Sequence, residues 1–193
     1  MSEILGVLFK YLLALLGIAA VVAILYEALG SSSVSDAASD VAQMQANVYS
    51  LYQGTGDATQ FDSSTGTPAN LIASGIIPSG MIQNGSIVDP FGQTISGAVT
   101  TTGNGSPVLA ITFPAVPVKA CTKLIMAAVQ AGASATVGGT TLYPGAATAV
   151  TAAPACGTAT ATNGNVPITF NFFPNNGAST AAATAATSGG SGS

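Results

Sequence analysis

From Ile4 to Leu29 the sequence ILGVLFKYLLALLGIAAVVAILYEAL is apolar at almost every position, interrupted only by Lys10 and Glu27 near its ends. A helix with no polar face is at home in lipid or among other apolar helices. With Lys10 snorkelling, Ile4 to Tyr26 makes 23 residues, about 34 Å at ~1.5 Å per helical residue, enough to cross a bilayer. The stretch lacks the charged leading region and the small-residue cleavage pattern of a secretory signal peptide, so a span is the better reading. After Gly30 and three serines the pattern changes. Val34, Ala37, Val41, Met44, Val48 and Leu51 recur by threes and fours through VSDAASDVAQMQANVYSLY, which predicts an amphipathic helix packed on a globular head. Ser33 or Ser35 would cap a restarted helix, with Gly30 as a kink or short break between the two halves.

From Gly54 the pattern becomes short apolar runs separated by Gly, Thr, Ser, Asn and Pro. Ala69-Asn-Leu-Ile-Ala-Ser-Gly predicts a short helix ended by Gly75. SIVDPFGQTISGAV, TTGNGSPVLAITFPAV and VPITFNFF predict strands, with Gly103-Asn-Gly-Ser as a hairpin connection and Gly138-Gly139 as a second turn. VKACTKLIMAAVQAG is the further helical segment, with Val118, Cys121, Leu124, Ile125 and Ala128 on one face and Gly132 beyond its end. The segment APACGT around Cys156 reads as irregular. The chain so divides into an apolar segment, 1–30, an amphipathic continuation, 31–53, an αβ head, 54–173, and a low-complexity tail, 174–193, expected to be exposed.

Composition changes the picture mainly by exclusion. Of 193 residues only three are Lys and seven Asp or Glu, with no Arg and no His, and the net charge is −4. So few cations cannot neutralise a phosphate backbone, which argues against nucleic-acid binding. Without His, most acid–base, triad and metal chemistry lacks its parts, and neither enzyme activity nor a cofactor is expected. Asp57, Asp62 and Asp89 are the carboxylates an Asp-based hydrolase would need. They read instead as turn residues, Asp89 in particular because it precedes Pro90. Mean hydropathy of +0.55 also argues against global disorder.

Cys121 and Cys156 are the only cysteines. Together with the Ser/Thr/Asn/Gly-rich composition they suggest an oxidising compartment, where a bridge would staple a late loop to the second helix. Two buried thiols are the alternative. Their spacing fits neither a zinc site nor a redox C-x-x-C motif.

The ordered set of segments resembles the type IVb pilins, in particular the major pilins of bundle-forming and conjugative thin pili. The resemblance is carried by the hydrophobic helix running into an amphipathic one that ends NVYSLYQG, by LIASGIIPSGMI followed by IVDPFGQTI, and by LAITFPAVPVKACTKLI. A second cysteine follows some 35 residues later, ahead of a final apolar strand, VPITFNF. The resemblance covers roughly residues 1–173. It implies an α+β fold: a long N-terminal helix packed on a small antiparallel sheet head with one or two short helices and one disulfide, Cys121–Cys156.

It also implies a single-span inner-membrane protein that a prepilin peptidase trims and an ATPase-driven assembly machine extracts into an extracellular homopolymer. The apolar half-helices would bundle in the filament core, where Gly6, Ala14, Gly17, Ala19, Ala20 and Ala23 permit close approach. No leader is evident ahead of that helix, which implies either mature numbering or different processing. The family's glutamate near the start of the mature helix neutralises a neighbour's N-terminal amine, and the nearest acid here is Glu3. Lys10 has no family counterpart, and a pairing of Glu3 with Lys10 or the amine of another subunit would set axial register. The family's helix-distorting proline is missing, so local unwinding would fall to Gly17 or Gly30. Two other readings compete: a monomeric membrane-anchored adhesin or ectodomain, and a pseudopilin of a secretion system. The Ser/Thr/Ala-rich tail, Ala178 to Ser193, is a candidate for O-linked glycans that would keep a nearly uncharged filament soluble.

Overall fold

The structure, a computed structural model, describes residues 32–53, 61, 64–101, 107–159 and 162–174. The apolar segment 4–29, the Gly103-Asn-Gly-Ser connection and the tail beyond Pro174 lie outside the described residues.

The first described helix, α1, covers residues 32–52. Its stripe is buried at Val34, Ala37, Val41, Met44 and Val48. Leu51, expected to continue it, is 51% exposed. The buried face instead takes in Gln45, 3% exposed, whose Nε2 donates to the Phe173 carbonyl at 3.0 Å. Ser33 and Ser35 both lie within α1.

The head carries α2 (Pro68–Ala73), a 3₁₀ turn (Ser79–Met81), the small hairpin β1 (Ile82–Gln83) and β2 (Ser86–Ile87), then β3 (Ser96–Thr101) and β4 (Pro107–Pro117). There follow α3 (Val118–Gln130), β5 (Ser134–Val137), β6 (Thr140–Leu142), α4 (Ala149–Thr158) and β7 (Asn165–Phe172). The expected run SIVDPFGQTISGAV is therefore not one strand. A turn at Asp89-Pro-Phe-Gly interrupts it, bridged by the pair Val88 and Thr94. APACGT, expected to be irregular, is helical within α4. A reciprocal capping box starts that helix: the Thr151 amide donates to Thr148 Oγ1 at 3.3 Å and the Thr148 amide to Thr151 Oγ1 at 2.8 Å. This start, with the alanines behind it, tolerates Pro154 inside the helix even though proline removes the amide that would reach back to Val150.

The main sheet is antiparallel with order β3-β4-β7-β5-β6. The last strand in sequence thus lies at the centre, between β4 and β5, and α3 spans the gap that β7 fills. β4 carries one extra residue between Phe113 and Val116, which pair with Ile168 and Val166. The exposed Pro114 sits in this bulge, so both Phe113 and Val116 point inward and proline costs no ladder bond. The inward rows join the α1 stripe and α3 in one core, where Phe113 and Phe170 meet edge-to-face at 5.1 Å. Beside β3 the chain passes so close that a Cβ on Gly97 would lie 2.7 Å from Leu71 Cδ1 and 2.8 Å from the Gly66 carbonyl oxygen. At the β5–β6 turn Gly138 and Gly139 hold φ of 56° and 78°, as two-residue hairpins require.

Candidate functional site

Four places on the described surface could carry function, and each follows from the local sequence. The first is the pair of cysteines. Cys121, on the buried face of α3, and Cys156, on α4, form a disulfide with Cα atoms 6.0 Å apart. The bridge ties the two helices together across 35 positions of sequence and rules out two free thiols. Thr122 lies beside it, its hydroxyl donating to Cys156 Sγ at 3.7 Å. The pairing locks the side of the head away from β3 and offers no redox pair to a substrate.

The second is the Asp89 turn. Asp89 is only 2% exposed. Its Oδ1 accepts the amides of Phe91 at 2.9 Å and Gln93 at 2.8 Å, which makes the turn, as the sequence suggested. Its Oδ2 is buried without a partner. Burial pushes the carboxyl above the usual carboxylate range, and the two amides only partly oppose this. The two amide bonds give the carboxylate the role of a turn former. Asp57 and Asp62 lie outside the described residues. Among the described residues no cluster of His, Cys, Asp and Glu has the makings of a metal site.

The third is the outward face of the sheet, where a shallow polar pocket of about 250 Å³ is lined by Thr100, Ser134, Thr136, Thr141, Tyr143 and Asn171. Its polar groups are largely engaged with one another. Asn171 Nδ2 reaches Ser134 Oγ and Thr136 Oγ1, each at 3.3 Å, and Thr136 pairs with Thr141 at 2.9 Å. None of the residues lining the pocket is charged.

The fourth is a flank of α1 beside its buried stripe. Asp36 is exposed and Asp40 half-buried one turn later, followed by Gln43, Ala46 and Tyr49 at the surface. The Asp40 carboxyl is raised from its ordinary value, by burial first and by the nearby negative charge of Asp36 second. Asn47, on the same side, donates to the carbonyls of Gly75 and Ile76 at 3.1 Å each and ties α1 to the segment after α2. The residues singled out in the apolar segment, Glu3, Gly6, Lys10, Ala14, Gly17, Ala19, Ala20, Ala23 and Gly30, lie outside the described residues. No helix among the described residues is long and apolar enough to cross a membrane. Pro174, expected to begin an exposed tail, is buried.

Gln45 escaped sequence reasoning because a glutamine inside a polar helix face gives no sign that a carbonyl 128 residues away awaits its amide. Lys119 and Lys123 did so for a similar reason, since two lysines on a helix look like ordinary solvation.

Comparison with known proteins fits this architecture. A search of curated proteins gives no match. Among solved structures, the type IV b pilin from Salmonella typhi superposes with a TM-score of 0.53 at 21% identity, covering 72% of this chain and 98% of that one, a likeness of fold. The profile described as PilS N terminal matches residues 31–188, from the start of the amphipathic helix to beyond the final strand. With that match over most of its length, an α+β head of pilin architecture and a single disulfide, the chain belongs to the PilS N-terminal family of type IV pilins.

Proposed function

We propose that the chain is a structural subunit that polymerises through its N-terminal apolar helix into an extracellular type IV pilus filament with a surface role such as adhesion or conjugation. The observation that supports this reading most is the change of character along the helix. The α1 stripe from Val34 to Val48 is buried in the subunit's own head, whereas the sequence from Ile4 to Leu29 is apolar on every side and needs lipid or copies of itself. The subunit would wait in the inner membrane as a single span, be trimmed by a prepilin peptidase, and then exchange lipid for neighbouring helices. Gly6, Ala14, Gly17, Ala20 and Ala23 allow that close packing. Glu3 would pair with Lys10 or the N-terminal amine of another copy, because a charge left alone among apolar helices is costly; Gly17 or Gly30 would supply any local unwinding.

Shearing cells that express the full chain and imaging the detergent-free supernatant tests the proposal. Filaments containing this chain are expected. Recovery only from detergent-extracted membranes would mean a monomeric anchored ectodomain instead. In the same assay Glu3→Ala is expected to abolish filaments, and normal assembly of that variant would remove the charge pairing while leaving the filament reading intact.

A further inference from the structure

Charge is so rare in this chain that its placement is informative. The described residues contain five charged side chains: Asp36, Asp40, Asp89, Lys119 and Lys123. Asp89 is buried in its turn. The other four form two like-charged pairs, each at a spacing of four on one helix: two acids on α1 and two exposed lysines on α3. Among the described residues no ion pair joins the two sets.

Each pair is unfavourable where it stands. Like charges four apart on a helix repel. Lys119 and Lys123 also occupy the first turns of α3, where the helix dipole disfavours cations, and that end has neither a side-chain cap nor an acid in its first turn. Helix stability therefore does not explain the lysines. The two pairs match each other, however. Residues four apart on a helix are separated by about 6 Å, so two carboxylates on one helix can meet two ammonium groups on another at the same spacing.

We propose that the Lys119/Lys123 face of α3 docks on the Asp36/Asp40 face of α1 in a second copy of this chain. The two faces are different surfaces of one subunit, so each copy offers one and receives the other. Such a heterologous contact propagates into an open helical polymer and does not close into a dimer. The inference rests on the filament reading and adds a head-to-head contact to the bundling of apolar helices. The neutral side chains around both pairs leave these four charges to define which faces meet, through specificity more than raw affinity.

Charge reversal in the full chain tests it. Lys119→Asp with Lys123→Asp, and separately Asp36→Lys with Asp40→Lys, are each expected to reduce sheared filaments at least tenfold. All four substitutions together should restore them towards the original yield. Asp36, Lys119 and Lys123 are exposed and Asp40 is half-buried, so an intact fold is checked for each variant by formation of the Cys121–Cys156 disulfide and by subunit level in the membrane fraction. Filaments of the unaltered chain should also break up more readily as salt rises from 0.1 to 1 M, which shortens the screening length from about 10 to 3 Å. The docking falls if either reversal leaves filament yield and salt resistance unchanged, or if the fourfold variant folds but does not recover. If the unaltered chain itself makes no filaments, the filament reading and the docking fall together.

Discussion

Along β7 the side chains alternate between two environments. Val166, Ile168, Phe170 and Phe172 are each 0% exposed and face α1 and α3, while Asn165, Pro167, Thr169 and Asn171 face outward at the surface or half-buried. The inward row is held by dispersion and area removed from water. The outward row is held by paired hydroxyls and amides such as Thr112 with Thr169 at 2.9 Å. A sheet made this way can be nearly free of charge on its outer face without exposing a large apolar patch. The comparison teaches that stability and surface character are set on opposite sides of the same strands, and can be changed separately.

The largest effect should come from the inner side. Phe170→Ala removes the ring that stands edge-on to Phe113 and leaves a cavity, at a cost of about 3–5 kcal/mol. Thr169→Ala, the next residue but outward, should cost less than about 1 kcal/mol because the hydroxyl it abandons stays within reach of water. Urea melts of the two variants measure both, and equal losses would break the comparison. Replacing both cysteines with serine should cost roughly 4 kcal/mol by the chain-entropy argument for a loop of this length. That loss would be read as a lower unfolding midpoint than that of the oxidised protein, with no change for a sample already treated with reductant.

The smallest effect concerns Asp89. Its carboxyl is harder to ionise in the folded protein than in the unfolded chain, so this group favours folding while protonated. Its contribution is present below the usual carboxylate range and is lost as pH rises through the unfolded and then the raised folded value. Asp89→Asn keeps the acceptor for the Phe91 and Gln93 amides without the charge. The fall in melting temperature between pH 3 and 7 should therefore be shallower in that variant, and an unchanged slope would mean that Asp89 does not contribute to it.

Much of the head was legible from the sequence because periodicity reports which face of an element is apolar. The stripe from Val34 to Val48, the α3 face from Cys121 to Ala128, the short helix before Gly75 and the Gly138-Gly139 turn stand where their patterns put them. The misses share one cause. Leu51 fits the period yet is exposed, while its neighbour Tyr52 packs edge-on against Phe61. APACGT contains proline and glycine, and only the Thr148–Thr151 box and packing beside α3 make it helical. SIVDPFGQTISGAV has strand composition throughout, yet a buried aspartate turns it over in the middle.

The sequence by itself determined the apolar character of residues 4–29, the one-sided stripe that follows it and the absence of histidine and arginine. These follow from local spacing and residue type. Only the tertiary structure decided that the last described strand fills the centre of the sheet, that a bulge at Pro114 keeps Phe113 and Val116 on one side, that Cys121 and Cys156 are bonded, and that among the described residues Asp36 and Asp40 form no ion pair with Lys119 or Lys123. These depend on which distant segments touch. The pairing of Thr112 with Thr169, 57 residues apart, or of Gln45 with the Phe173 carbonyl, 128 apart, is chosen by packing that satisfies many such contacts at once.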